Sequence, residues 1–304
     1  MLSRVNITTT DGHWLQIMIC TTADHADAYC EILDQCGAMA VTLQDNADEP
    51  VFEPGPGEQR LWSQTNVIGL FAAHTHAADV LRQIQAALEL SEPPPGYIKY
   101  LPDQDWERAW LDNFKPMCFG KRLWVCPADM SPAVRDAIVV RLDPGLAFGT
   151  GTHATTAQCL AWLDRHDITG MNVIDYGCGS GILAVAALKL GARSVIAIDI
   201  DEQALLATRE NARKNAVQER LLARSPGSPV TEQADLLMAN ILARPLIELA
   251  PRFRQMLRPG GTLLVSGILA DQKDDIVQAY RSWCSLDEIT IRDGWYCLAG
   301  KSCG

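Results

Sequence analysis

No two of the chain's ten cysteines are spaced as C-x-x-C. Several of them, Cys20, Cys159, Cys284 and Cys297, sit in strongly apolar stretches, so reduced and mostly buried thiols are expected rather than a disulfide scaffold. The six histidines do not cluster with cysteines, and no metal site is expected. Long apolar runs are also missing. ILAVAAL at 182–188 is among the longest, far short of the roughly 20 residues a membrane span needs. The opening MLSRVNITTTDG lacks an apolar core of the signal-peptide kind, so a cytoplasmic protein without membrane association is expected. Positive charge is scarce, with 26 Lys and Arg against 37 Asp and Glu and a formal net charge of −11. Proteins that grip nucleic acid over a long surface are normally basic, so no direct binding of DNA or large RNA is expected. The acidity suits a basic protein partner through long-range steering, or simply a solubility margin. Neither an internal repeat nor a low-complexity tract interrupts the chain.

With 304 residues, 48% of them hydrophobic, the chain has length for about two domains with cores of their own. Residues 1–12 read as a loose N-terminal extension. Over 13–104 the pattern alternates, with strands at 14–20, 40–45, 60–72 and 97–102, helices at 28–37 and 80–90, and a PGPG loop at 54–57. Strand-helix-strand-strand-helix-strand is the order of a small α+β, ferredoxin-like sandwich. Residues 105–126 read as a linker helix and strand, with Trp106 and Trp110 on one helix face suited to docking against a domain. MCFGKRLWVCP (117–127) and AIVVRLDPG (137–145) read as strands leading into the last domain, 127–304. There the apolar strands MNVIDYG, RSVIAIDI, ADLLMANI and GTLLVSGI alternate with helices beginning near Ile182, Glu202 and Pro245. This is the pattern of a parallel sheet covered on both faces. LDEITIRDG (286–294) and WYCLAGK (295–301) read as a closing hairpin.

The densest chemical signal is VIDYGCGSGIL (173–183), an apolar strand running into a glycine loop and then a helix. Gly177 and Gly179 let the backbone approach a ligand at the strand's carboxyl end, where doubly wound sheets bind cofactors. The next strand ends in Asp199, placed to accept both hydroxyls of a ribose. A dinucleotide fingerprint would need a third glycine or alanine at position 182, which is Ile. A phosphate-binding loop would need a closing Lys-Ser or Lys-Thr pair, which is absent. With the third glycine at 181 and Asp175 ahead of the loop, the spacing is that of a class I methyltransferase. LRPGGTLLVSG (257–267), and ADLLMANIL (234–242) with Asn240 at its strand end, fit the same class. Asp175 is expected to support the loop from beneath. Asp201 either helps at the ribose or caps the helix beginning at Glu202.

LDPGLAFGTGTHATT (142–156), MANILARPL (238–246), SGILADQ (266–272), FEPGPGEQRLW (52–62), NVIGLF (66–71) and DWERAWLDNFKPMCFGKRLWVCP (105–127) together resemble the PrmA family, whose members methylate the large-subunit ribosomal protein L11. The resemblance implies a Rossmann-like class I methyltransferase domain with a seven-stranded, mostly parallel sheet, preceded by a ferredoxin-like recognition domain. It implies S-adenosylmethionine as cofactor and amino groups of L11, on lysine side chains or the N-terminus, as acceptors. The cofactor contacts it implies are Thr156, Gly177, Gly179, Asp199 and Asn240, with Phe148 and Gly149 in a loop gating the methionine end. Asn240 is the residue expected to orient the reacting groups. The family's loop usually reads His-Pro-Thr-Thr, whereas this chain has His153-Ala154-Thr155-Thr156, so a floppier loop is expected. His153 is expected either to brace that loop or to act as a base. Two other readings stand beside this one: a methyltransferase of another protein or a small amine, and a binding protein that keeps the cofactor fold without catalysis.

Overall fold

Leu15, Ile17 and Ile19 alternate along Trp14–Thr22 with Gln16, Met18 and Cys20, and those three are almost fully buried. This period of two is that of a strand with one face on a core. The structure, a computed structural model, describes residues 6–8, 14–47, 62–101, 115–127, 130–132, 134–142, 151–227 and 233–303. The chain divides into two compact units, Met1–Glu107 and Arg108–Gly304.

The first unit contains β1 (Asn6–Thr8), β2 (Trp14–Thr22), α1 (Ala23–Gln35), β3 (Ala40–Asp45), β4 (Gln64–Ala72), α2 (Ala77–Ala87) and β5 (Gly96–Leu101). Its sheet runs β1-β5-β2-β4-β3. All pairs are antiparallel except β1 with β5. The last four strands and both helices form the ferredoxin-like sandwich expected from the order of elements. Leu33 of α1 and Val80 and Ile84 of α2 close its core over Leu15, Ile17, Val67 and Phe71. The N-terminal extension is not wholly loose, because Asn6–Thr8 adds a parallel edge strand. Three residues are too few to show a period. The PGPG loop and the paired tryptophans at 106 and 110 lie outside the described residues.

The second unit begins with a small sheet, β6 (Met117–Phe119), β7 (Leu123–Cys126) and β8 (Ile138–Arg141). The single strand expected over 117–127 is therefore a hairpin. Its turn is pinned by the buried Asp164 carboxylate, which accepts the backbone N–H groups of Lys121 (2.5 Å), Arg122 (3.2 Å) and Leu123 (3.1 Å). Then follow α3 (Ala154–Arg165), β9 (Asn172–Tyr176), α4 (Ile182–Lys189), β10 (Ser194–Ile198), α5 (Glu202–Lys214), β11 (Leu221–Arg224), β12 (Ala234–Asn240), α6 (Ala243–Met256), β13 (Leu257–Leu269), α7 (Lys273–Tyr280), β14 (Cys284–Arg292) and β15 (Trp295–Ser302).

The seven-stranded sheet runs β11-β10-β9-β12-β13-β15-β14, parallel except for β15. Apolar residues of α3 and α4 cover one face, and those of α6 and α7 the other. The direction of winding reverses between β9 and β12. In such sheets ligands bind beside the switch point, at the strands' carboxyl ends. The four-residue edge strand β11 is too short to show a period, and helices α3 and α7 are likewise absent from the elements expected from the sequence. β13 also starts earlier than expected. Its register with β12 jumps from Leu257 opposite Ala234 to Thr262 opposite Leu236, so the Pro-Gly-Gly segment bulges out of the ladder.

Candidate active site

β9 delivers the glycine loop to the switch point. Gly177 N–H donates to the carbonyl of Ile198 at 2.7 Å, tying the loop to the end of β10. Its φ is +76°, and a Cβ there would lie 2.2 Å from Ile241 Cγ2, so only glycine fits. From α5, the Thr208 hydroxyl donates to Gly179 O (3.0 Å) and the Asn211 amide donates to Ser180 O (2.8 Å). Asp199, half-buried at the end of β10, accepts Gly179 N–H on Oδ2 (2.9 Å) and Asp201 N–H on Oδ1 (3.0 Å). Each oxygen keeps a second lone pair for a ligand hydroxyl. Asp201 is the helix cap, accepting Gln203 N–H at 2.9 Å.

Across the switch point, β12 ends in Asn240, whose Nδ2 donates to Thr156 Oγ1 at 3.2 Å. Thr156 is buried in the first turn of α3. The contact commits the amide NH2 to α3, and among the described residues no donor reaches Asn240 Oδ1. His153 is built into the helix end. Its ring accepts from Thr155 N–H, capping α3, and Nδ1 lies 2.8 Å from Thr155 Oγ1. The Nδ1–Thr155 contact ties the ring to the start of α3 whichever tautomer the ring holds.

Asp175 lies beneath the loop, 1% exposed. Its Oδ2 accepts Ala184 N–H at 3.0 Å in the first turn of α4, and Oδ1 has no partner among the described residues. Burial pushes its carboxyl up to about 7, helped by the neighbouring Asp199 charge and opposed by the Ala184 hydrogen bond. The folded state thus holds a proton that the unfolded chain releases near the ordinary value of 3.8. The stabilisation from this group is complete below that value and is lost as pH rises through about 7. Asp175→Asn cannot titrate. The thermal midpoint of the wild type minus that of Asp175→Asn should therefore be more positive near pH 5 than near pH 8. A pH-independent difference would mean that the carboxyl stays charged in the fold.

Thr156 and Asn240 meet directly, and Gly177, Gly179 and Asp199 form a second cluster across the switch point. Phe148 and Gly149 lie outside the described residues. Sequence reasoning missed Thr208 and Asn211, which lock the loop, and Ile241, which packs under Gly177. The ribosomal protein L11 methyltransferase (PrmA) family profile matches residues 13–302, nearly the whole chain. The chain belongs to the PrmA family. A ribosomal protein L11 methyltransferase of Histophilus somni (strain 2336) is 51% identical over 289 residues, covering 95% of this chain and 98% of the relative. One from Vibrio cholerae is 48% identical over 293 residues, covering 96% and 99%. The crystal structure of a ribosomal protein L11 methylase from Lactobacillus delbrueckii subsp. bulgaricus matches with a TM-score of 0.59 at 34% identity, over 63% of this chain and 100% of that one.

Against the PrmA pattern, Ala154 proves to be the first residue of α3 rather than part of a loose loop. Proline is favoured at that position because its missing N–H has no partner to lose there. His153 already has the extended backbone (φ −68°, ψ 141°) that a following proline requires. Ala154→Pro is therefore expected to stabilise the protein by about 0.4–1 kcal/mol, mainly by restricting the unfolded chain. Scanning calorimetry checks this, and a lowered midpoint would show that the ring clashes.

Proposed function

We propose that this protein transfers methyl groups from S-adenosylmethionine to amino groups of ribosomal protein L11, with Asn240 orienting the reacting groups. The observation that carries the reading is the Asn240–Thr156 contact facing the glycine loop across the switch point of the sheet. The residues present fit the cofactor: Gly177 and Gly179 leave room for close approach, and Asp199 offers acceptors for ribose hydroxyls. When bound, S-adenosylmethionine supplies a methyl group already activated by its sulfonium. The chain's task is then to hold an amine in line and free of its proton. A lysine of pKa about 10.4 costs roughly 4 kcal/mol to deprotonate near pH 7.5, and an α-amine of about 8 costs under 1. A crevice walled by apolar strands lowers the lysine value, since low dielectric disfavours the ammonium. Asn240 Oδ1 accepts an N–H of the neutral amine and aims its lone pair. His153 braces the helix that carries Thr156.

Residues 13–104 serve as the recognition domain. They carry none of the cofactor motifs, and a small-molecule methyltransferase has no use for a second folded unit. A cytoplasmic location follows from a ribosomal substrate. Incubating the full-length enzyme with purified, unmodified L11 and cofactor should add mass in whole-methyl steps. Absence of any gain on L11, with gain on another protein or a small amine, would replace the substrate. Asp199→Ala should weaken cofactor binding about 10- to 100-fold by calorimetric titration, because a hydrogen bond to a charged group contributes about 1.5–3 kcal/mol. Unchanged affinity would move the ribose site elsewhere.

A further inference from the structure

Asn240 lies on the α3 side of the sheet. Along β12, Leu236 and Met238 belong to the core shared with α3, and Asn240 is next in that alternation. Along β15, Cys297 and Ala299 belong to the same core and Leu298 to the opposite one, so Trp295 also stands on the α3 side. Both lie at the carboxyl rim. Asn240 pairs with Ser266, Ser266 pairs with Cys297, and Trp295 is two residues further toward the rim. Two strand spacings across and two residues along put the two Cα atoms roughly 12 Å apart.

That gap is bridged by α3. His153, three residues before Thr156, meets the Trp295 ring edge-on at 5.2 Å between centroids. Gln158 Nε2 donates to Trp295 O (3.1 Å), and Thr290 Oγ1 donates to Gln158 Oε1 (3.1 Å), so the tryptophan backbone is fastened to the same helix. The tight turn before it, Asp293 (φ 51°) and Gly294 (φ 78°), both left-handed, fixes Trp295 as the first residue of its strand. The indole remains half-buried. Such anchoring holds a partly exposed aromatic at the carboxyl rim, on the same side of the sheet as Asn240 and about two strand spacings from it.

Resting on the reading of the protein as an amine methyltransferase, we propose that Trp295 is a specificity-determining residue that holds the methylene stem of the substrate lysine and the methylated ammonium formed on it. A ring face attracts ammonium cations by cation–π interaction, strongly when the cation is methylated and poorly hydrated. Asn240 then faces the nitrogen while Trp295 flanks the chain that carries it.

The test uses the full-length enzyme, unmodified L11 and two variants. Trp295→Leu should lower kcat/KM for L11 about tenfold or more, mostly through KM, as expected for loss of one cation–π contact and its apolar area. Its affinity for S-adenosylmethionine should stay within about twofold of wild type by calorimetric titration. Trp295→Phe should restore most of the loss. On the unmutated enzyme, tetramethylammonium chloride should raise KM for L11 more than sodium chloride at equal ionic strength, without altering KM for the cofactor. This measurement stands even if the leucine variant does not fold. Equal losses in Trp295→Leu and Trp295→Phe, parallel loss of cofactor affinity, or no tetramethylammonium effect would each reduce Trp295 to a packing residue. If wild type adds no methyl to L11, the substrate reading and this assignment fall together. If wild type is active and Trp295→Leu equals it, only this assignment falls.

Discussion

Asn240→Ala is expected to lower kcat by about 100-fold or more while changing S-adenosylmethionine affinity only a few-fold. Removing one pre-positioned hydrogen-bonding group from a reaction centre costs about 2.7–4 kcal/mol of transition-state stabilisation in comparable cases. The geometry suits that role, because the amide NH2 is held by Thr156 Oγ1 at 3.2 Å and the carbonyl oxygen stays available to an incoming amine. Thr156→Val keeps the side-chain shape and removes the acceptor. Its effect should be smaller, about 5- to 10-fold, since Asn240 then loses its fixed orientation and one hydrogen bond of about 1 kcal/mol. Single-turnover rates measured beside calorimetric cofactor titrations separate the two contributions. Equal losses in rate and affinity for Asn240→Ala would make it a cofactor contact, with the amine held by other groups.

Gly267→Ala is expected to destabilise the protein by about 3 kcal/mol and to abolish measurable turnover. A Cβ at Gly267 would lie 2.2 Å from the carbonyl oxygen of Ile241 and 2.8 Å from its carbonyl carbon, both main-chain atoms with no rotamer to relieve the overlap. The backbone there has φ +89°, a region that adds strain for any side chain. Overpacking of this kind costs about 1–3 kcal/mol and the strain about 1 more. Ile241 follows Asn240 directly and also packs under Gly177, so shifting its main chain disturbs both halves of the site. Gly260→Ala is the control. It shares a positive φ of 74° but meets nothing within 4 Å. It should cost only about 1 kcal/mol, and the two midpoints should differ by roughly 4–8 °C. Matching midpoints would mean that β12 and β13 yield easily at Ile241.

The glycine loop, Asp199 and Asn240 were legible because each is a local event: a strand ends, the chain turns, and the residue at that end faces the crevice. Helix α3 was not. Histidine is an uncommon N-cap, so His153-Ala154-Thr155-Thr156 looked like loop although it opens a helix. Asp164 was silent for another reason. Within α3 it looks like any solvated acid, and only the turn of β6 and β7, some 40 residues earlier, gives its buried carboxylate three N–H donors. Asp201 could be read as a cap or a ribose contact, and its hydrogen bond to Gln203 N–H makes it the cap.

The sequence by itself determined the fold class, most of the alternation of strands and helices, the glycine loop and the family, because these depend on periodicity and on motifs within a dozen residues of one another. Tertiary structure alone decided which distant residues act together. Thr156 meets Asn240 across 84 positions, and Gln158 reaches Trp295 across 137. The physical reason is the crossover topology of the sheet. Parallel strands adjacent in space are separated in the chain by whole helices, so β12 comes to lie beside β9, while the closing hairpin sets β15 antiparallel beside β13. Side-chain parity on each strand then selects, from many polar and aromatic residues, the few that share one face at the carboxyl rim.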